Sequence, residues 1–456
     1  MKDWAKESIE ILNRPCCSGC VRFGTVACHT PDTKPENGPC PEFKPYKNIT
    51  LEELKAVMGR WLHLSDPEVV DVVLVASIAV SIPGDPLWLM LIGPPGSIKT
   101  ETLRGLSGKK VHSLDQLTPH TLITGLKSED AIDLLPLLDG KLLVVKDFSA
   151  ILSDERNLNQ ILADFRGAYD GYLEKGFGSG VGVKRYESRF GLIAASTGAI
   201  DRYWSVAQQL GDRMLKFRVR TDKRKAEAKA FKSAGQEKEM RATINRAMSA
   251  LMGRLESNLK VPEIPRAIEA RIEKLAGFAA LFRSEVMRDR MHHIIGVPDS
   301  EVGTRLAKQF KKLALSLAVV REHGEVKETE YDTLRRVAMD TVPSKRMRIV
   351  KALPELERVG GGEDGEKIVY PKSSEVGQHV RLPTTTTTEE LEDLWGLGIL
   401  ERHGVEEREY RWELKRELRD MMAECGIIET QPTLTPPISM PPTPTPGIID
   451  IGRLDE

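Results

Sequence analysis

The strongest chemical signal in this chain is a lysine and a threonine at the end of a glycine-containing segment. The stretch "IGPPGSIKT", residues 92–100, lies between an apolar run and the helix-forming segment "TETLRGL". Its spacing follows the phosphate-binding pattern G-x-x-x-x-G-K-[ST], except that Ile98 stands in the place of the second glycine. In such a loop, backbone N–H groups bind the phosphates of ATP, Lys99 reaches the β- and γ-phosphates, and the Thr100 hydroxyl ligates Mg²⁺.

The isoleucine need not prevent nucleotide binding, because backbone atoms make the phosphate contacts. A side chain at this position is tolerated if it points away from the phosphates. The pattern therefore predicts an ATP site made of consecutive residues, namely Gly93, Pro94, Pro95, Gly96, Ser97, Ile98, Lys99, Thr100 and Glu101.

Two other apolar runs end in polar side chains that suit the same chemistry. Residues 141–147 end in Asp147, and residues 189–197 end in a serine followed by Thr197. These runs alternate with helical segments, and this order predicts an α/β fold with a mostly parallel sheet. We expect Asp147 to bind Mg²⁺ together with the loop threonine.

The loop, the acid and the later motifs follow one another as they do in AAA+ ATPases of the helicase clade. The chain resembles the minichromosome maintenance (MCM)-like ATPases of phages and integrated mobile elements over roughly residues 65–425. MCM-type proteins commonly carry alanine at the position of Ile98. The resemblance implies an AAA+ P-loop sheet with a helical lid. It also implies a catalytic set that consists of Lys99, Asp147, Thr197, Arg213 and Arg305.

The resemblance gives three of these residues separate roles. Thr197 corresponds to the polar sensor-1 residue near the γ-phosphate. Arg213, in "LGDRMLKFRV", corresponds to an arginine finger that acts on the neighbouring subunit's nucleotide, which implies a homo-oligomeric ring, commonly a hexamer. Arg305 corresponds to the sensor-2 arginine of the lid, because residues 301–334 are similar to that lid.

One position departs from the family pattern. Phe148 follows Asp147, where these ATPases carry a glutamate that polarises the attacking water. Either Asp147 performs both tasks, or a nearby acid replaces the glutamate, or hydrolysis is slow. The nearby acids are Asp154, Glu155 and Asp170.

The segment before the third apolar run predicts a β-hairpin. It reads "YLEKGFGSGVGVKRYES", with a glycine-rich centre and apolar and basic residues on both sides. MCM-type and related viral helicases insert a hairpin here that grips DNA in the ring channel. The resemblance therefore implies contacts between Lys175, Lys184 and Arg185 and the phosphates of single-stranded or forked DNA.

Five of the six cysteines crowd the first tenth of the chain, which favours metal binding over disulfides in a reducing compartment. Cys17, Cys20, Cys28 and Cys40 would suit a tetrahedral Zn²⁺ site. Cys16 or His29 could replace one ligand, and an iron–sulfur cluster would also use four cysteines. We expect a structural role for this segment.

The C-terminal part resembles a winged helix-turn-helix over residues 373–404. Its second helix carries acidic residues after Thr384–Thr388, which argues against deep insertion into a DNA groove. The predicted domains are a Cys-rich segment (1–48), an ATPase core (49–222), a helical lid (223–342), a winged helix (343–426) and a disordered Pro/Thr-rich tail (427–456).

Composition limits the remaining possibilities. The net charge is −1 and aromatic residues make up 5% of the chain, so DNA binding must depend on local basic patches rather than on the overall charge. The apolar run at 69–82 is too short to span a bilayer and contains Asp71, so we expect a buried helix and a soluble, cytoplasmic protein without a membrane partner.

Three functions stay open at this point. The first is a DNA-dependent ATPase that acts as a replicative helicase or helicase loader, with replication proteins as possible partners. The second is an ATP-gated assembly or regulatory module with little hydrolysis. The third, a DNA-binding regulator without ATPase activity, leaves the phosphate-binding loop unexplained.

Overall fold

The computed structural model describes residues 48–126, 132–149, 155–178, 181–203, 212–362, 365–404 and 410–429. The predicted cysteine ligands Cys17, Cys20, Cys28 and Cys40 lie outside these ranges, as does the Pro/Thr-rich tail from residue 430 onward. The chain divides into two compact units, of which the second is centred on Arg348–Ala423. Across the described part of the chain, no helix combines the length and the apolarity needed to cross a membrane.

The first unit is built on a five-stranded sheet, and its strand order is β2-β3-β6-β1-β7. Every neighbouring pair in this sheet is parallel. This confirms the predicted α/β class with a parallel sheet. The strands of the sheet are β1 (Trp88–Ile92), β2 (Val111–Leu114), β3 (Leu142–Val145), β6 (Gly191–Ser196) and β7 (Leu215–Arg218). A separate hairpin consists of β4 (Tyr172–Phe177) and β5 (Gly182–Glu187).

Helices surround this sheet and continue after it. They are α1 (Leu51–Trp61), α2 (Glu68–Ser81), α3 (Lys99–Arg104), α4 (Glu155–Tyr169), α5 (Lys223–Lys232), α6 (Glu237–Ser257), α7 (Arg266–Arg283), α8 (Thr304–Val320), α9 (Glu328–Thr341) and α10 (Ser344–Leu356). Helix α1 begins at a capping box in which the Thr50 hydroxyl accepts from the Glu53 N–H and the Glu53 carboxylate accepts from the Thr50 N–H.

Helix α2 is buried on nearly all sides, as its continuous apolar sequence predicts. Its one charged core residue, Asp71, is 1% exposed. Asp71 is paired with Lys55 at 2.8 Å and with Arg321 at 2.9 Å. The buried carboxylate is therefore neutralised by cations from α1 and from the end of α8, which ties three helices together.

The amino ends of the strands pack on an aromatic cluster. The Trp88 ring lies edge-on to Tyr169 at 5.1 Å and to Phe165 at 5.4 Å, and its indole N–H donates to the Phe190 carbonyl at 2.9 Å. This cluster fixes the end of α4 against the beginnings of β1 and β6.

Strands β2 and β7 are not evident from the sequence pattern. Strand β7 includes Lys216, which is 3% exposed and pairs with Asp212 at 2.9 Å. A buried, neutralised lysine interrupts the apolar pattern that would mark a buried strand. Strand β2 lies at the sheet edge and is only half-buried, so its sequence carries little apolar signal.

The second unit contains a helix, a turn, a helix and a hairpin in the order predicted for residues 373–404. Arg381, with φ +54°, ends the first helix in the left-handed region. A further hairpin crosses the glycine-rich break at 360–366. The elements are β8 (Arg358–Gly362), β9 (Gly365–Val369), α11 (Ser373–Val380), α12 (Thr384–Gly396), β10 (Leu400–Gly404), β11 (Tyr410–Leu414) and α13 (Arg416–Glu424).

Candidate nucleotide site

The loop between β1 and α3 closes around the Lys99 side chain. Its Nζ donates to the carbonyls of Gly93 and Pro94 and to the Ser97 hydroxyl, each at 2.8 Å. Lys99 is 6% exposed, and Thr100 is half-buried beside it. The lysine is thus held inside the loop by neutral oxygens that a phosphate could replace.

Burial changes the proton affinity of this lysine. Desolvation lowers the pKa of Lys99 to about 8, although the negative charge of Asp147 opposes the shift. The opposing effect shows that the loop lysine and the acid after β3 lie within electrostatic range of each other.

The side chain of Ile98 points into the protein and is 8% exposed. Its backbone has φ −65° and ψ −7°, a helical conformation that any L-residue adopts. Glycine is favoured at another position of the loop, because Gly96 has φ +73°.

Glu101, the last predicted nucleotide contact, faces another element. Its carboxylate pairs with Arg104 at 2.6 Å and with Arg241 of α6 at 2.9 Å. The side chain therefore anchors α3 to α6.

The ends of three neighbouring strands meet at the loop, because parallel strands place their carboxyl ends at one edge of the sheet. The Gly93 N–H donates to the Ser196 carbonyl at 3.2 Å, which joins the loop to the end of β6. Asp147 lies two residues beyond β3 and is exposed. Ligands of open parallel sheets bind outside this edge.

Ser149 links the acid to the predicted sensor residue, and sequence reasoning missed it. Its N–H donates to Asp147 Oδ1 at 2.8 Å, and its hydroxyl accepts from the Thr197 N–H at 3.0 Å. A hydroxyl residue shortly after a strand-ending acid was the available signal. The result is a polar bridge from Asp147 to Thr197 across two strand ends.

Phe148 points away from this bridge. Its side chain is fully buried and stacks on Phe165 of α4, with ring centroids 6.5 Å apart. Of the acids considered as replacements for the missing glutamate, Asp154 and the side chain of Glu155 are outside the described part of the structure. Asp170 is wrong for this role, because it follows α4 at the opposite edge of the sheet.

Arg213 and Arg305 also lie at that opposite, amino edge. Arg213 comes just before β7, whose first residue pairs with Leu89 near the start of β1. Its guanidinium is 3.8 Å from the Asp170 carboxylate and lies 5.6 Å from the centroid of the Tyr169 ring. The two edges are separated by about 13 Å of strand, at about 3.3 Å per residue.

Arg305, in the first turn of α8, belongs to the same group. It pairs with Glu301 at 3.0 Å and lines a cavity of about 530 Å³. Burial lowers the pKa of Arg305, although the negative charge of Asp212 opposes this shift. Within the described residues, its Nη1 is buried without a hydrogen-bond partner.

The predicted hairpin is formed by β4 and β5, in antiparallel register with Lys175 opposite Lys184. All three cations proposed for DNA contact are paired with carboxylates. Lys175 pairs with Asp164 at 2.6 Å, Lys184 with Asp133 at 2.7 Å, and Arg185 with Glu174 at 3.0 Å.

Asp133 is the centre of the contact between the hairpin and the rest of the unit. Its carboxylate accepts from Lys184 Nζ, from the Tyr186 hydroxyl at 2.6 Å and from the Thr124 N–H at 2.7 Å. Burial would raise the pKa of Asp133, but these hydrogen bonds hold it below its usual value. The hairpin is thereby joined to Thr124 and Asp133.

The sequence was also compared with known proteins. No model of a known protein family matches the chain, and no curated protein is similar enough to count as a relative. A functional inference therefore depends on the geometry described above.

Proposed function

We propose that this chain binds and hydrolyses ATP, and that it acts on DNA as a replicative helicase or helicase loader of a phage or mobile element. The supporting observation is the position of Lys99. Its buried amino group is held by replaceable oxygens inside a loop of phosphate-binding spacing. This loop lies at the sheet edge where Asp147 and Thr197 follow neighbouring strands.

The described residues fit a magnesium nucleotide. Lys99 would exchange its carbonyl partners for phosphate oxygens, and Ile98 leaves the loop backbone accessible because its side chain is buried. Thr100 and Asp147 would hold Mg²⁺, which neutralises phosphate charge during phosphoryl transfer. The bridge through Ser149 would orient Thr197 toward the terminal phosphate.

The two-edged arrangement favours a ring of copies in the proposed mechanism. Arg213 and Arg305 lie at the amino edge of the sheet, about 13 Å of strand from the edge that carries the loop of their own subunit. An arginine that is partly buried and lines an open cavity suits an anion supplied from outside the subunit. In the proposal, that anion is the nucleotide of a neighbouring copy.

A nucleotide-gated switch is the second candidate, and the burial of Phe148 favours it. In the described residues, the position after Asp147 contributes a core side chain and no base for water. Asp147, Asp154 or Glu155 would then have to activate water, or turnover would be slow. In that case ATP binding alone would drive assembly or a change of partner.

ATP turnover by the purified chain, with and without single-stranded DNA, tests the proposal. Lys99→Ala removes the loop amino group. Lys312→Ala is a matched control, because Lys312 is also a buried lysine, its pKa is also lowered by burial to about 8, and its amino group also donates to backbone carbonyls. Lys312 lies near Asp85, before β1, away from the loop.

The motor proposal expects DNA-stimulated hydrolysis that Lys99→Ala abolishes and Lys312→Ala retains. Tight ATP binding with negligible turnover, both with and without DNA, would contradict the helicase proposal and support the nucleotide-gated switch. Absence of ATP binding in the wild-type chain would overturn both candidates.

A further inference from the structure

The β10–β11 hairpin of the second unit brings three metal-ligating side chains to one face. Glu401 pairs directly with Glu413 across the hairpin, and His403 lies two residues further along β10. One ligand atom from each of these residues lies within 4.8 Å of the other two. Imidazole nitrogen and carboxylate oxygen are both ligands of divalent transition metals.

The cross-strand pair of glutamates needs a compensating charge. Like charges directly opposite each other destabilise an antiparallel pair. His403 Nε2 is 2.8 Å from a Glu413 oxygen, so one carboxylate has a polar neighbour. Glu401 is exposed.

The basic residues of this hairpin have other contacts. Arg402 lies on the opposite face, with its guanidinium 4.1 Å from the Trp395 ring centroid and 4.2 Å from that of Tyr410. Arg411 shares the face with His403, but its Nη1 donates to the Tyr370 carbonyl at 2.5 Å. The described contacts thus direct both guanidinium groups away from the two glutamates.

Tyr370 contacts both His403 and Glu413. Its ring stacks on His403, with centroids 4.9 Å apart and planes 10° apart, which fixes the imidazole orientation. Its phenol forms a hydrogen bond with the Glu413 carboxylate. Outer contacts that orient an imidazole and a carboxylate are typical of metal sites.

We propose that Glu401, His403 and Glu413 bind a divalent transition-metal ion, with Zn²⁺ as the expected ion, in a site that clamps the β10–β11 hairpin. Three protein ligands leave a fourth position for water or for a group from a partner. The inference does not depend on the proposed ATPase activity, and it is separate from the expected cysteine site.

Zinc content of the full-length chain tests this site. Wild type, His403→Gln, Glu413→Gln and a chain with Cys16, Cys17, Cys20, Cys28 and Cys40 changed to serine would be dialysed against low-micromolar ZnCl₂, with metal measured per chain. Tyr370→Phe leaves all ligands in place. Thermal unfolding in chelator, compared between wild type and His403→Gln, checks that any lost metal does not reflect an unfolded hairpin.

We expect His403→Gln and Glu413→Gln each to hold one zinc ion fewer than wild type, and the cysteine-free chain to keep that ion. Tyr370→Phe should weaken zinc binding about tenfold. Equal zinc content in wild type and His403→Gln would overturn the proposal and leave His403 and Glu413 as an ordinary surface pair. Loss of this ion in the cysteine-free chain would overturn it as well.

Discussion

At the scale of single residues, Lys99 and Ile98 show how a loop of irregular sequence can keep a phosphate-binding geometry. The lysine is buried and held by three oxygens of the loop itself. The isoleucine side chain is buried, and its helical backbone needs no glycine. Two neighbouring residues therefore have separate roles: Lys99 provides the amino group for phosphate, and Ile98 contributes a buried side chain.

The lowered pKa of Lys99 predicts that ATP binding depends on pH. Without nucleotide, the lysine loses its proton as the pH rises through about 8. Bound phosphate favours the charged form, so binding takes up a proton above that pH, and ATP affinity should fall about tenfold between pH 7 and pH 9. Titration calorimetry with a non-hydrolysable analogue, in two buffers of different ionisation enthalpy, measures both effects.

Lys99→Arg is the control for this dependence, because arginine keeps its charge across the whole range. An unchanged affinity from pH 7 to pH 9 in the wild type would contradict this prediction.

Ile98→Ala separates packing from nucleotide binding. The substitution removes a buried side chain and should lower the free energy of unfolding by about 2–3 kcal/mol. Since the side chain points away from the loop interior, ATP affinity should change less than about threefold, as the backbone contacts persist. Urea unfolding and ATP titration of the same preparation check the two expectations. A lost affinity at unchanged stability would show instead that Ile98 shapes the phosphate site.

At the scale of elements, the basic side chains of the β4–β5 hairpin that we expect to contact DNA already pair with carboxylates of the same chain. The Lys184 side chain is 20% exposed and has both Asp133 and the Thr124 carbonyl as partners. The Arg185 side chain is 66% exposed and pairs with an exposed glutamate. Exposed ion pairs contribute little to stability and exchange partners readily. Breaking a buried ion pair costs much more, because it leaves an uncompensated charge in the protein interior.

Arg185 should therefore be the hairpin cation that contacts DNA phosphate most easily. Arg185→Ala should lower the slope of log affinity against log salt by about 0.7 for single-stranded DNA. Lys184→Ala should chiefly lower stability, because it leaves Asp133 without its cation. Fluorescence anisotropy at several salt concentrations measures the slopes.

Lys225→Ala provides the reference, because Lys225 is an exposed cation on α5 that also pairs with an acid. If Lys184→Ala reduced the slope as much as Arg185→Ala, the hairpin would have to leave its contact with Asp133 before it binds DNA.

At the scale of the whole molecule, the first unit places two sets of proposed site residues on opposite edges of one sheet. Lys99, Asp147 and Thr197 lie at the carboxyl edge, whereas Arg213 and Arg305 lie at the amino edge. One copy therefore cannot assemble the complete set. A head-to-tail arrangement of copies, which closes into a ring, would bring the two edges together.

Mixing two inactive variants tests this arrangement. Lys99→Ala and Arg213→Ala should each lose most ATP turnover. In a mixed assembly, about a quarter of the interfaces combine an intact loop with an intact arginine from the neighbour. Turnover should therefore return on mixing, in a concentration-dependent manner.

The control is a mixture of the Lys99→Ala variant with a double variant that carries both Lys99→Ala and Arg213→Ala. No interface of this mixture can have an intact loop lysine. If the two single variants stayed inactive when mixed, the arginine would act within its own subunit or not at all.

Motif spacing and periodicity predicted the local features of this protein. The loop spacing, the buried helix α2, the hairpin and the polar residues after apolar strands are visible because periodicity and motif spacing reflect contacts close along the chain. The parallel sheet followed from the alternation of strands and helices. Strand β7 was not predicted, because it contains a buried lysine, Lys216, that Asp212 neutralises only in the folded chain.

The directions and contacts of the key side chains could not be predicted in this way. The inward orientation of Ile98 and Phe148, the bridge through Ser149 and the pairing of the hairpin cations depend on strand register and on residues far away in sequence. The same is true of the amino-edge position of Arg213 and Arg305 and of the group formed by Glu401, His403 and Glu413. Long-range packing sets these relations, and no short sequence window contains them.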